Sequence, residues 1–171
     1  MTTPGYQTPP KCQSTYYSKN PNYAWDECQS KQLFQPFIQE KSSNRPFDPT
    51  SNTRIVFISD THGKHREINL PKGSILIHGG DFTNAGEVET IRDLSLYFKE
   101  LKESNQFEDI VCIAGNHELT FHEDHYHSRI YNKGDECSIA RNALTNCAYL
   151  EDETFVTKDL HIYGSPWQPR K

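Results

Sequence analysis

The chain has 171 residues, a length that suits one domain with a tail. Its formal net charge of −5 argues against a non-specific electrostatic grip on polymeric nucleic acid or an anionic membrane. Only 34% of the residues are apolar, which is low for a fully folded domain of this size.

The distribution explains the deficit. Residues 1–50 hold seven of the ten prolines, no valine, and only Leu33 and Ile38 among branched aliphatics. Such a segment cannot bury enough surface to offset its ordering entropy, so a largely disordered arm is expected there, with a domain over residues 51–171. Aromatic residues such as Tyr16, Trp25 and Phe37 give the arm a means of touching the domain. The start, MTTPGYQTPPKC, has no positive segment followed by an apolar block, and no apolar run approaches a membrane span. Five cysteines without C-x-x-C pairing argue against a disulfide framework and a zinc knuckle. A cytoplasmic protein is the expectation.

From Arg54 the pattern changes. Ile55 to Ile58, Ile75 to Ile77 and Ile110 to Ile113 are unbroken apolar runs, as in strands covered on both faces. Val88, Ile91, Leu94, Phe98 and Leu101 recur at helical spacing, and Asn84 followed by Glu87 is a weak N-terminal cap for that helix. Strand, helix and strand together predict an α/β layer. Beyond Glu118, HEDHYHSRIYNKGDE reads as a polar loop and Ser138 to Leu144 as a short helix. Ala148 to Leu150, Thr154 to Thr157 and Leu160 to Tyr163 read as short strands of a meander.

The three buried-type strands end in chemically capable residues: Asp60 and His62, then Asp81, then Asn116, His117 and Glu118. Ligands collect at the carboxyl ends of strands in open α/β sheets. Alternate residues of an extended segment share a side, so Asp60 and His62 can hold one ion. Asp81 has two oxygens with which to bridge two ions, and Asn116 offers a neutral amide oxygen. Mixed nitrogen and oxygen donors suit Mn, Fe or Zn. Any one of these residues alone has an ordinary structural explanation, such as a helix cap or a turn. Three such sites within seventy residues do not.

The order D-T-H, G-G-D, G-N-H-E resembles the calcineurin-like metallophosphoesterase superfamily. ISDTHG, ILIHGGDFT, IAGNHELTF, LTNCAYLED and IYGSPWQP resemble its animal metallophosphoesterase-domain-containing subfamily, from about Arg54 to Pro169. The resemblance implies a two-sheet sandwich flanked by helices and two divalent ions, with Mn favoured. Asp60 and His62 would ligate the first ion, Asp81 would bridge, and Asn116 would ligate the second. Asn116 and His117 would meet the substrate, with His117 stabilising developing charge or protonating the leaving oxygen, and Glu118 would orient His117. The implied reaction is attack by a metal-held hydroxide on a small phosphodiester, such as a cyclic nucleotide.

Two departures qualify the resemblance. The Ser/Thr protein phosphatases continue the second motif as G-D-x-x-D-R-G, whereas Ala85 stands here in place of that arginine, which turns expectation away from phosphoproteins. The superfamily's later G-H and G-H-x-H motifs do not occur before Lys171. That leaves three ligands for one ion and two for the other, and the expectation of a C-terminally truncated form with weakened metal binding. The alternative is an inactive form that binds nucleotide or phosphate in a regulatory role. His122, His125 and His127 are assigned to a polar loop rather than to a separate metal site, and His65 to an exposed loop. His78 is read as packed or lining the pocket, and Trp167 as a pocket wall or a packing residue.

Overall fold

The computed structural model describes residues 47–129, apart from 49 and 51, and residues 135–167. The predicted arm over residues 1–50 falls almost wholly outside them. Four strands form a parallel sheet in chain order: β1 (Ile55–Ile58), β2 (Ile75–His78), β3 (Asp109–Cys112) and β4 (Ala148–Tyr149). The first three pair along their full length, Ile55 with Ile75 and Ile75 with Asp109, while β4 adds only Ala148 opposite Val111 and Tyr149 opposite Cys112. Helix α1 (Val88–Glu103) connects β2 to β3, and α2 (Glu123–Arg129) and α3 (Glu136–Ala143) lie between β3 and β4. A hairpin of β5 (Glu153–Thr157) and β6 (Leu160–Gly164) forms a second, antiparallel sheet.

Side-chain alternation divides the parallel sheet into two cores. Leu76, Ile110 and Cys112 pack with Ile91, Leu94 and Phe98 of α1 and Ala140 of α3. Ile75 and Val111 point the other way, against Phe155, Leu160 and Ile162 of the hairpin. The described residues therefore form helices, parallel sheet and small sheet in layers, a mixed α/β arrangement with two sheets. Among them no helix is long and apolar enough to cross a membrane.

The periodic residues Val88 to Leu101 form α1 as expected, because Ile91, Leu94, Phe98 and Leu101 all bury on its sheet side. The predicted cap is only half present. The Glu87 carboxylate accepts from the Asn84 N–H (3.1 Å), but Glu87, at the N-cap position, makes no side-chain capping bond to the helix.

Three local expectations need correction. Strand β1 is not covered on both faces: Ile55 and Phe57 are 46% and 65% exposed, because they lie on the hairpin side and β1 is the edge strand farthest from β4. Residues 123–129 are helical rather than a loop, with Glu123 and Asp124 placed favourably in the first turn. The last three strands are not one meander, since β4 joins the parallel sheet and only β5 and β6 pair with each other.

Candidate metal centre

The ends of β1, β2 and β3 continue as loops that stay hydrogen-bonded to one another. Asp60 N–H donates to Gly80 O, His62 N–H to Asp81 O and Gly63 N–H to Phe82 O, at 2.8–3.0 Å. Three candidate ligands on these loops, Asp60 (φ 57°), His62 (φ 45°) and Asp81 (φ 53°), adopt left-handed backbone conformations. Each such residue costs about 1 kcal/mol or more and persists only where its surroundings over-determine it.

Glycines make the close approach possible. Gly80 has φ 99°, and a Cβ there would lie 2.6 Å from Gly115 N. A Cβ on Gly115 would overlap the Asp81 carboxylate, so the third loop passes directly against the second.

Glu118 fastens these loops from within. It is 1% exposed, and its carboxylate accepts four bonds: from Asp81 N–H (2.8 Å), Thr83 N–H (2.8 Å), Thr83 Oγ1–H (2.8 Å) and Gly115 N–H (2.7 Å). The sequence reading gave Glu118 the task of orienting His117. Its carboxylate instead binds the backbones that carry Asp81 and Gly115.

The loops bring His62, Asp81 and His117 together, with one donor atom of each within 4.8 Å of the others. The imidazoles meet edge to face, their centroids 4.7 Å apart. His62 Nδ1 is 2.9 Å from Thr83 O, and His117 Nδ1 is 2.6 Å from Asn84 O. A carbonyl oxygen only accepts, so both Nδ1 atoms carry the proton and Nε2 is left with the lone pair. Histidine held through one nitrogen by a carbonyl is the usual posture of a metal ligand. Asp81 Oδ1 accepts from His117 N–H (2.9 Å), which leaves Oδ2 for a ligand. Two imidazoles and a carboxylate fit a divalent transition ion.

This grouping differs from the one read in the sequence. His117 shares the donor group, whereas Asp60, exposed on the same loop as His62, is outside it. Asn116 is exposed beside His117, and Ala85 is exposed after Asn84. The left-handed backbone at both Asp60 and His62 breaks the extended alternation on which the Asp60–His62 pairing was argued.

Other histidines also have definite places. His65 is buried rather than exposed; its Nε2 meets Asp93 Oδ2 at 2.9 Å, and Nδ1 has no hydrogen-bond partner among the described residues. Burial pushes the His65 imidazole below its ordinary value, against the pull of Asp93. His78 is fully buried and does not line the pocket; burial lowers it to about 4. The rings of His122 and His125 are 5.8 Å apart and belong to no donor group among the described residues; the side chain of His127 lies outside those residues. Trp167 does line a cleft, of about 50 Å³, with Phe121, His122, Tyr149 and Glu118.

Residues 53–166 match the family model described as calcineurin-like phosphoesterase. The chain belongs to that family. It is 36% identical over 168 residues to metallophosphoesterase domain-containing protein 1 of Homo sapiens and of Mus musculus, an overlap that takes in 90% of this chain and 50% of theirs. A UPF0046 protein of Caenorhabditis elegans is 37% identical over 122 residues, covering 68% of this chain and 42% of its own length. The chain thus spans about half the length of these relatives. Membership in this calcineurin-like family makes a divalent-metal-dependent phosphoester hydrolase the coarse expectation, and the His/Asp group is where an ion can bind.

Proposed function

We propose that the site serves hydrolysis of small phosphodiesters, cyclic nucleotides among them. The observation that carries this reading is the convergence of His62, Asp81 and His117 on one point at the carboxyl edge of the parallel sheet. His62 and His117 would each give Nε2, and Asp81 would give Oδ2. Asp60 and Asn116, on the same loops as the two histidines, are the further donors proposed to complete coordination. When bound, Mn or a similar divalent ion supplies Lewis acidity toward the phosphoryl oxygens and lowers the pKa of a ligated water.

The chain's own groups orient these donors and limit the substrate. The Thr83 and Asn84 carbonyls keep the Nδ1 protons in place, so neither ring can turn its lone pair away. Ala85 offers no cation to a phosphate dianion, which favours a singly charged diester over a phosphoprotein monoester.

The test is hydrolysis of bis(p-nitrophenyl) phosphate, p-nitrophenyl phosphate and cyclic AMP by the chelator-stripped chain, with and without Mn²⁺. Metal-dependent turnover that prefers the diesters and is abolished in Asp81→Ala is the expected result. Full activity in Asp81→Ala refutes the site. A second reading, phosphate or nucleotide binding without turnover, is favoured by the bond between Asp81 Oδ1 and His117 N–H, which leaves one carboxylate oxygen unengaged. Stoichiometric Mn²⁺ and nucleotide binding without hydrolysis would select it.

A further inference from the structure

His78 ends β2 three residues before Asp81 and is completely buried. Both ring nitrogens are engaged, each by a different loop. Nδ1 accepts from Gly80 N–H at 3.2 Å, so Nδ1 carries no proton and Nε2 does. Nε2–H therefore donates to Thr61 Oγ1, 3.0 Å away. Thr61 is itself buried, and it separates Asp60 from His62. Gly80 directly precedes Asp81, and Phe82 meets the His78 ring edge to face with centroids 5.6 Å apart.

The imidazole thus spans the loops that carry His62 and Asp81, at the points where three residues hold left-handed conformations. Loops in such conformations persist only where the surrounding structure over-determines them. Main-chain bonds such as His62 N–H to Asp81 O set the spacing of the loops, and the His78 ring adds a bond to the Thr61 side chain.

We propose that His78 is a positioning residue for the metal centre, a neutral imidazole that fixes the loop of His62 against the loop of Asp81 through Thr61 Oγ1 and Gly80 N–H. The inference rests on the metal-site reading above. It adds a residue that contacts neither ion nor substrate and acts through the geometry of those that do. Groups placed behind metal ligands in this way typically change metal affinity ten- to a hundredfold when removed.

The test is Mn²⁺ titration of the chelator-stripped 171-residue chain, followed by the EPR signal of free Mn²⁺, alongside thermal midpoints measured in chelator. His78→Phe keeps ring and volume, loses both bonds, and is expected to weaken Mn²⁺ binding about tenfold or more. Thr61→Val, which removes only the hydroxyl, is expected to weaken it severalfold. The double variant should be no weaker than His78→Phe, since both substitutions break one linkage. His78→Asn, whose Oδ1 can accept from Gly80 N–H, is expected to fall between wild type and His78→Phe. If His78→Phe does not fold, Thr61→Val carries the test alone. Lowered midpoints with Mn²⁺ affinity within twofold of wild type would overturn the proposal, leaving His78 as a packing residue only. Absence of Mn²⁺ binding by the unsubstituted chain would overturn the metal reading itself, a result distinct from unaltered variants.

Discussion

Replacing Glu118 with glutamine tests whether one buried carboxylate holds the loops together. The substitution keeps shape and removes charge. Glu118 Oε2 accepts from Asp81 N–H and Gly115 N–H, while Oε1 accepts from Thr83 N–H and Thr83 Oγ1. The glutamine NH₂ has to face one pair or the other. Facing Thr83 is better, because that hydroxyl can turn to donate to His117 O, 3.2 Å away, and accept from the amide. Thr83 N–H is then left without an acceptor, and it is buried. One orphaned donor costs about 1–3 kcal/mol, and two charge-assisted bonds made neutral cost about 1 kcal/mol each. Removing a buried charge returns part of this, so a net loss of about 3 kcal/mol is expected. That corresponds to a midpoint lower by roughly 10 °C in a domain of this size. The assay is urea unfolding of wild type and Glu118→Gln, with exposed Glu103→Gln as control, for which a change within about 0.5 kcal/mol is expected. A loss under about 1 kcal/mol in Glu118→Gln would refute the idea that this carboxylate joins the loops.

Burial lowers the His78 imidazole from 6.5 to about 4. Between those values the unfolded chain binds a proton that the folded chain refuses, so stability declines as pH falls through that window, by roughly 3 kcal/mol in total. Urea titrations from pH 7 to 4 should show this slope, and His78→Phe should reduce it. Gly80→Ala combines φ 99° with a Cβ 2.6 Å from Gly115 N, and should cost at least about 2 kcal/mol in the same measurement. Phe98→Ala, in the core beneath α1, should cost about 3–5 kcal/mol. Phe57→Ala, 65% exposed, should cost under about 1 kcal/mol, and a comparable loss at both positions would show that the hairpin-side face of β1 is covered in solution.

The readable parts of the sequence were those in which a local pattern coincides with a tertiary requirement. Leu76 and Ile110 need the helix face that Ile91, Leu94 and Phe98 supply, so unbroken apolar runs located β2 and β3 and helical spacing located α1. The loop ends were legible because they carry chemistry: His62, Asp81 and His117 occur after similar strands, and the structure places them together. Ile55 and Phe57 misled, because an apolar run does not reveal whether a second layer reaches an edge strand. His65 misled because its cover comes from α1, where Asp93 lies 28 positions away. The carbonyls of Thr83 and Asn84, which fix the histidine tautomers, belong to the main chain, and residue type cannot announce them. His78 gave a faint signal, a polar residue closing an otherwise apolar strand.

His62, Asp81 and His117 are proposed to present two imidazole nitrogens and a carboxylate oxygen to one divalent ion. Pulsed EPR of the Mn²⁺-loaded chain measures this directly through hyperfine coupling to ¹⁴N. Two histidine nitrogens on the ion are expected, one lost in His62→Ala, the other lost in His117→Ala, with metal release in Asp81→Ala. A Mn²⁺ spectrum with only oxygen ligands, or one unchanged by either histidine substitution, would contradict it.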